Sequence, residues 1–224
     1  MKSFLKSKLS VRTFQNLKAV YFDCKRLQTR IFQAKKISTP EFSKLHLGCG
    51  IRKVNGWLNV DVVNSDCNLD LAHAKLPWKE NSFDFVVSQH FIEHLLLEDE
   101  LFPLLKETYR VMNPGAEIWL TTPDMEKICT AYLEKKLDLL IADRKTRMKD
   151  WDLKGFPPQQ MLNDFFQQEG EHKNLFDFDL LKFVLGKNNF REVKRVSEKD
   201  FLNRFPEFPS RNDEAHAMYV VAKK

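Results

Sequence analysis

HLGCGIRKVNGWLNVD, residues 46–61, sets two glycines after a short apolar run and an acid at the end of the next run. Glycine reaches backbone angles closed to other residues and lets a ligand approach the main chain. An acid at the end of a neighbouring parallel strand can accept hydrogen bonds from both hydroxyls of a ribose. The stretch therefore has the outline of a nucleotide-binding loop. A dinucleotide loop would need a third glycine at 53, where Lys53 stands, and an acid about 20 residues on. Asp61 follows Gly50 by only eleven residues. Residues 51–56 can extend to roughly 20 Å, about the length of one strand. A parallel crossover usually takes a dozen residues or more. The connection is thus a loop or a single turn, with no full helix to seat a pyrophosphate. A ligand with ribose and no pyrophosphate fits better, and S-adenosylmethionine is one.

The rest of the body alternates. KLHLG, WLNVDVV, FDFVVSQH and AEIWLTT read as strands, as do FREVKRV and AHAMYVVAKK near the end. FIEHLLLEDELFPLLKETYRVM reads as helix, with Pro103 as a break or a new start. NPG, residues 113–115, is a turn signal. DMEKICTAYLEKKLDLL reads as one helix capped by Asp124, and DFDLLKFVLGKNN as another. Alternating strands and helices predict a parallel, helix-covered sheet.

Composition bounds the classes. The 224 residues, 43% apolar and with 19 Phe, can fill a core. No apolar run approaches the length of a membrane span, and no secretory signal is expected. The four cysteines form no CxxC pair, which fits a reducing, cytoplasmic setting. The net charge of +5 is uneven. Residues 1–36 hold ten Lys or Arg against Asp23 alone, so this arm carries +9 and the remainder −4. Phe14, Leu17, Tyr21, Cys24 and Ile31 recur at helical spacing between the basic residues. A basic amphipathic helix can lie on an anionic membrane. It can equally cover the body, pair with another subunit, serve as a transit peptide or touch RNA. The division is an arm over 1–40 and a body over 41–224, with 138–176 as a substrate-side insertion.

LHLGCG, GWLNVD, DLAHAKLPWKENSFDFVVSQHFIEHL and LLKETYRVMNPGAEIWLTTPD, taken in order, resemble the class I S-adenosylmethionine-dependent methyltransferases. The likeness is to the type 11 group, in a branch with a shortened first crossover. It is strong over about 44–124 and weaker through GEHKNLFDFDLLKFVLGKNNFREV. It implies a Rossmann-like fold: a mostly parallel seven-stranded sheet with helices on both faces, here preceded by the basic N-terminal helix. It also implies S-adenosylmethionine as cofactor. Gly48, Cys49 and Gly50 match the motif that meets methionine and ribose. Asp61 matches the ribose-binding acid and Val62 the apolar contact to adenine. Asp70 and Leu71 match the loop where an acid accepts from the adenine amino group. Ser88, Gln89 and His90 match the end of the fourth strand, facing the methyl donor. Asn189 stands where the family often has glycine. Cys49 reads as a packing residue rather than a nucleophile.

His90, Glu93 and His94 in HFIEH have the spacing of an inverted zinc motif, and His172 is a further ligand type in GEHKNLF. No metal ligand is assigned, and whether these four residues hold a metal that assists methyl transfer stays open. His90 and His172 are candidates to accept a proton from the methyl acceptor, because histidine titrates near neutrality. The expected activity is methyl transfer to a small-molecule or glycan- or lipid-linked acceptor. Residues 1–36 are expected to make peripheral membrane contact or to self-associate, and nucleic acid is not favoured as a partner. An RNA-modifying enzyme anchored by the arm and a non-catalytic scaffold of the same fold stay open.

Overall fold

The computed structural model describes residues 10–32, 42–73, 75–148 and 151–224. The ends of the arm, 1–9 and 33–41, lie outside the described residues. Within it, α1 (Val11–Phe32) is the expected helix.

The body is a seven-stranded sheet in the order β3-β2-β1-β4-β5-β7-β6. Its strands are β1 (Lys44–Leu47), β2 (Leu58–Asp61), β3 (Cys67–Asn68), β4 (Phe83–Gln89), β5 (Met112–Pro123), β6 (Arg191–Val196) and β7 (Ala217–Lys223). Only β7 runs against its neighbours; the β1–β2, β1–β4, β2–β3 and β4–β5 pairs are parallel. β1 lies between β2 and β4, so the chain leaves β1 in one direction and returns on its other side. Ligands of open α/β sheets bind at such a reversal, outside the carboxyl ends of the strands. Here those ends carry the Gly48–Gly50 loop and Ser88–His90.

The helices of the body are α2 (Phe102–Val111), α3 (Met125–Leu133), α4 (Leu137–Arg147), α5 (Gln160–Gln167), α6 (Phe178–Lys187) and α7 (Glu198–Arg204). One core joins Leu45, Val60, Val86, Ile118 and Val220 of the sheet to Leu104, Val111, Leu181 and Leu185 of α2 and α6. A second, aromatic core packs Val54, Trp57, Val87, Trp119 and Tyr219 against Phe201, Phe205 and Phe208. A third joins Ile128, Leu137, Leu140 and Ile141 to Met161 and Phe165, and holds the inserted α4–α5 segment together.

Several sequence expectations are corrected. The helix read from Phe91 to Met112 is broken. Residues 92–94 form a 3-10 turn, Leu95 and Leu96 are extended, and a π-helical turn over Leu97–Leu101 leads into α2. The turn cannot continue because the Glu93 carbonyl accepts from Lys173 N (2.8 Å) and Asn174 N (3.1 Å). Pro103 sits in the first turn of α2, where its missing N–H costs nothing. The helix read from Asp124 to Leu140 is two, α3 and α4, separated at Lys135 with φ +56°. Asp124 caps α3 as expected, accepting from Glu126 N. NPG lies within β5 rather than before it, and the strand read as WLNVDVV ends at Asp61. β3 and α7 have no counterpart in the sequence reading. Asn189 adopts φ +69°, the left-handed geometry that glycine and asparagine accept most readily.

Candidate active site

The Gly48–Gly50 loop is tied to β2 at two levels. Gly48 N and Cys49 N both donate to the Val60 carbonyl (2.9 and 3.2 Å). Gly50 N donates to Asp61 Oδ2 (2.8 Å), and Val62 N donates to Asp61 Oδ1 (2.6 Å). A carboxylate has about four lone-pair positions. Asp61 therefore clasps the loop and keeps capacity to accept from a ligand's hydroxyls. The two glycines differ. A Cβ on Gly48 would lie 2.2 Å from Cγ of Phe91, so its lack of a side chain accommodates that ring. A Cβ on Gly50 would meet nothing within 4 Å, so the open face of the loop is there. Cys49 is buried. Burial, reinforced by Asp61 and Asp66, pushes its thiol up to about 12, as befits packing rather than nucleophilic chemistry.

Residues 51–56 cross from β1 to β2 without a helix, as expected. Asn59, buried on β2, does a helix's work for their backbone. Its Oδ1 accepts from Val54 N (2.9 Å), and its Nδ2 donates to the carbonyls of Val54 and Trp57 (both 3.0 Å). Val54 and Trp57 anchor the crossover in the aromatic core, while Ile51 stands 95% exposed beside Gly50.

Asp70 is buried, and its Oδ1 accepts from Ala72 N (3.2 Å). Arg26 of α1 brings Nε to 3.8 Å from the same oxygen. The arm thus reaches the loop expected to meet adenine, and a crevice of about 370 Å³ between Asp23, Arg26, Ala72, His73 and Glu100 adjoins it. The Leu71 side chain lies in the main core, which leaves its main chain alone for a ligand. Val62 is half-buried next to Asp61.

At the end of β4, Ser88 and Gln89 are buried, and Ser88 Oγ and Gln89 Nε2 have no hydrogen-bond partner among the described residues. Buried polar atoms are rarely left this way, and such a pair at a ligand crevice calls for a partner. Unpartnered donors at the end of β4 and the Asp61 acceptor at the end of β2 flank β1 at the carboxyl edge of the sheet, which suits a ligand with an amino-acid end and a ribose. The residues present fit S-adenosylmethionine.

His90 follows with φ +52° and only 17% of its side chain exposed. Nε2 lies 2.7 Å from Asp213 Oδ2, and Nδ1 lies 3.4 Å from Glu93 Oε1. Burial opposes charge on His90, but the two carboxylates outweigh it and raise its pKa. Burial likewise pushes the Glu93 carboxyl up, and the contact with His90 and the charges of His90 and His94 bring it below the ordinary value. Asp213 also accepts from Tyr219 OH (2.7 Å) and Arg211 Nε (3.0 Å). His90 thus has a carboxylate beside each ring nitrogen, Asp213 at Nε2 and Glu93 at Nδ1. His172 differs. Burial pushes its pKa down, and Nδ1 pairs with the Phe165 carbonyl at 2.6 Å. His94 packs edge-on against it, ring centroids 4.9 Å apart. The structure therefore gathers His90, His94 and His172 around Glu93.

Three arginines border this cluster. Arg147 of α4 donates to Asp143 (2.7 Å) and lies 3.3 Å from His216 Nδ1. Arg211 holds Asp213. Arg52 in the crossover has its pKa lowered by partial burial and then by the charge of Arg211, with a smaller part from Arg147. Asp213, Tyr219, Arg147 and Arg211 were not singled out in the sequence, because their partners are far along the chain.

A family profile described as a methyltransferase domain matches residues 59–120. No curated protein matches the sequence. Among solved structures, a SAM-dependent methyltransferase from Archaeoglobus fulgidus is similar at 19% identity and TM-score 0.44, over 90% of this chain and 93% of that one. A possible histamine N-methyltransferase from Thermotoga maritima is similar at 17% identity and TM-score 0.47, over 95% and 96%. Phosphoethanolamine N-methyltransferase 2 of Haemonchus contortus, in complex with S-adenosylhomocysteine, is similar at 13% identity and TM-score 0.47. This chain spans 53% of that protein's length and is itself covered over 88%.

Proposed function

We propose that this chain, whose residues 59–120 match a methyltransferase-domain profile, transfers a methyl group to a small-molecule or glycan- or lipid-linked acceptor bearing negative charge. The observation that supports cofactor binding most directly is the Asp61–Gly50 clasp at the carboxyl ends of β1 and β2, next to the end of β4 with its unpartnered Ser88 and Gln89. S-adenosylmethionine, when bound, supplies a methyl already activated on a sulfonium. The protein's part is to align an acceptor, and orientation alone contributes several kcal/mol. Asp61 accepts from ribose. Gly50 gives main-chain approach. Ser88 and Gln89 provide donors at the end of β4.

Arg52, Arg147 and Arg211 support an anionic group on the acceptor. Guanidinium forks match carboxylate and phosphate geometry. A hydroxyl acceptor must lose a proton, and His90 and His172 are the histidines placed to take it. An amine or anionic acceptor needs no base.

Thermal shift with S-adenosylmethionine and S-adenosylhomocysteine tests cofactor binding, and no shift with either would overturn it. Screening with labelled methyl donor then tests the acceptor. Turnover confined to neutral acceptors would remove the anionic requirement.

The arm supports a peripheral membrane reading. Leu17, Val20, Tyr21 and Leu27 of α1 are all more than half exposed, on the arm that carries +9. Among the described residues, no helix is long and apolar enough to cross a membrane. Co-sedimentation with anionic but not zwitterionic vesicles is expected, and concentration-dependent dimers without vesicle binding would favour self-association.

A further inference from the structure

We propose that Glu93, His94 and His172 form a binding site for one divalent transition-metal ion of the zinc type. One ligand atom from each lies within 4.8 Å of the others. Zinc bonds to nitrogen and carboxylate oxygen are about 2.0–2.2 Å, which sets tetrahedral ligands roughly 3.4 Å apart. Closure therefore asks for side-chain adjustment of about an ångström, with no rebuilding of the backbone.

The histidines are already oriented for such a ligand. His94 Nδ1 pairs with the Glu171 carbonyl (3.2 Å) and His172 Nδ1 with the Phe165 carbonyl (2.6 Å). A backbone carbonyl on one ring nitrogen fixes the tautomer that presents the other nitrogen's lone pair, the usual support behind a metal-binding histidine. Nε2 of each ring is left for the ion.

Glu93 gives a second, independent observation. It is 1% exposed, and its Oε1 has no hydrogen bond; only His90 Nδ1 stands near, at 3.4 Å. Oε2 accepts from Thr122 Oγ1 at 3.3 Å. A buried carboxylate oxygen with only that one long contact keeps lone pairs free to ligate a metal ion.

The backbone holds the three together although His172 is distant in sequence. Lys173 N and Asn174 N both donate to the Glu93 carbonyl, and Asn174 Nδ2 donates to the Leu95 carbonyl. The loop after α5 is thus stitched to the turn after β4 on either side of the cluster. Three protein ligands leave a position for water or an acceptor atom, the pattern of open zinc sites. In the loaded chain Nε2 of His172 is a ligand and not a base, so loaded and stripped forms separate the two uses.

The test uses the tag-free full chain, stripped with chelator and titrated with Co²⁺, with Zn²⁺ followed by equilibrium dialysis. One ion per chain and a visible ligand-field band are expected. His94→Ala, His172→Gln and Glu93→Gln should each weaken uptake at least tenfold, while His73→Ala leaves it unchanged. Circular dichroism identifies any variant that fails to fold. No stoichiometric uptake by the unsubstituted chain overturns the site, whatever the variants do. Uptake retained in folded His172→Gln overturns it as well.

Discussion

His90 Nε2 and Asp213 Oδ2 lie 2.7 Å apart although 123 residues separate them. The contact ties the end of β4 to the loop before β7, and Tyr219 and Arg211 converge on the same carboxylate. Removing the charge leaves His90 and Arg211 buried against a neutral amide. Breaking one side of a buried, hydrogen-bonded pair typically costs about 3–5 kcal/mol. Asp213→Asn is expected to lower the unfolding free energy by about 3 kcal/mol, read from urea denaturation. A change under 1 kcal/mol would mean the network contributes little.

Asp61→Ala should weaken S-adenosylmethionine binding at least tenfold by calorimetric titration. Hydrogen bonds to a charged group contribute about 1.5–3 kcal/mol each. The clasp on Gly50 N and Val62 N is lost too, so thermal unfolding of the apo variant must be measured alongside. Unchanged affinity in a folded variant removes Asp61 from the ribose role.

Asn59→Leu keeps the volume and deletes the polar atoms. Val54 N and Trp57 O then lose the Asn59 side chain, and Val54 O keeps only the long bond from Trp57 N (3.4 Å). Each buried backbone group left unsatisfied costs about 1–3 kcal/mol, and partial exposure of the loop lowers the total. A loss of about 3 kcal/mol in urea is expected, with the crossover opening first in hydrogen exchange. Protection at Val54 unaltered by the substitution would show that something else holds the loop.

What was legible in the sequence follows from distance along the chain. The glycines, Asp61 and the missing first helix lie within sixteen residues, where spacing carries the geometry. Asp124 was legible as a cap because a cap is local. β3 has two residues, too few for any alternation to register. α7 does carry a local signal, the Ser197–Asp200 capping box, but has only seven residues behind it. Asn59 carries a weaker local signal: a polar residue on the inward side of a buried strand must be hydrogen-bonded. The HFIEH helix failed for a tertiary reason, since the Glu93 carbonyl is taken by the His172 loop. The Asp213 pairing has no sequence signature, because only the folded sheet brings β4 and β7 into the same polar cluster.

His46 and His216 set an acid limit on stability. Burial lowers His46 to about 4 and His216 to about 3; Asn59 partly offsets the first, and Arg147 adds to the second. Both folded values lie below the unfolded 6.5. Below pH 6.5 the unfolded chain takes up protons that the folded chain does not, so these groups destabilise the fold progressively as pH falls towards 4. With each proton worth about 1.4 kcal/mol per pH unit, urea stability should fall by about 2 kcal/mol per unit between roughly pH 5.5 and 4.5. His46→Gln should roughly halve that slope. A slope unaltered by the substitution would place the acid sensitivity elsewhere.

Gly48→Ala separates two demands on one residue. The backbone there has φ +66°, and the new Cβ would sit 2.2 Å from Cγ of Phe91. A left-handed non-glycine residue costs about 1–2 kcal/mol, and overpacking adds about 1–3 kcal/mol. Phe91→Ala removes the ring and so the second demand alone. The double variant should therefore be more stable than the sum of the two single losses predicts, by at least about 1 kcal/mol. Additive losses would show that Phe91 yields freely and that backbone geometry alone requires glycine. If the ring does yield, the same measurement locates a movable side chain over the first glycine of the cofactor loop. S-adenosylmethionine affinity in Phe91→Ala would then report whether its displacement accompanies binding.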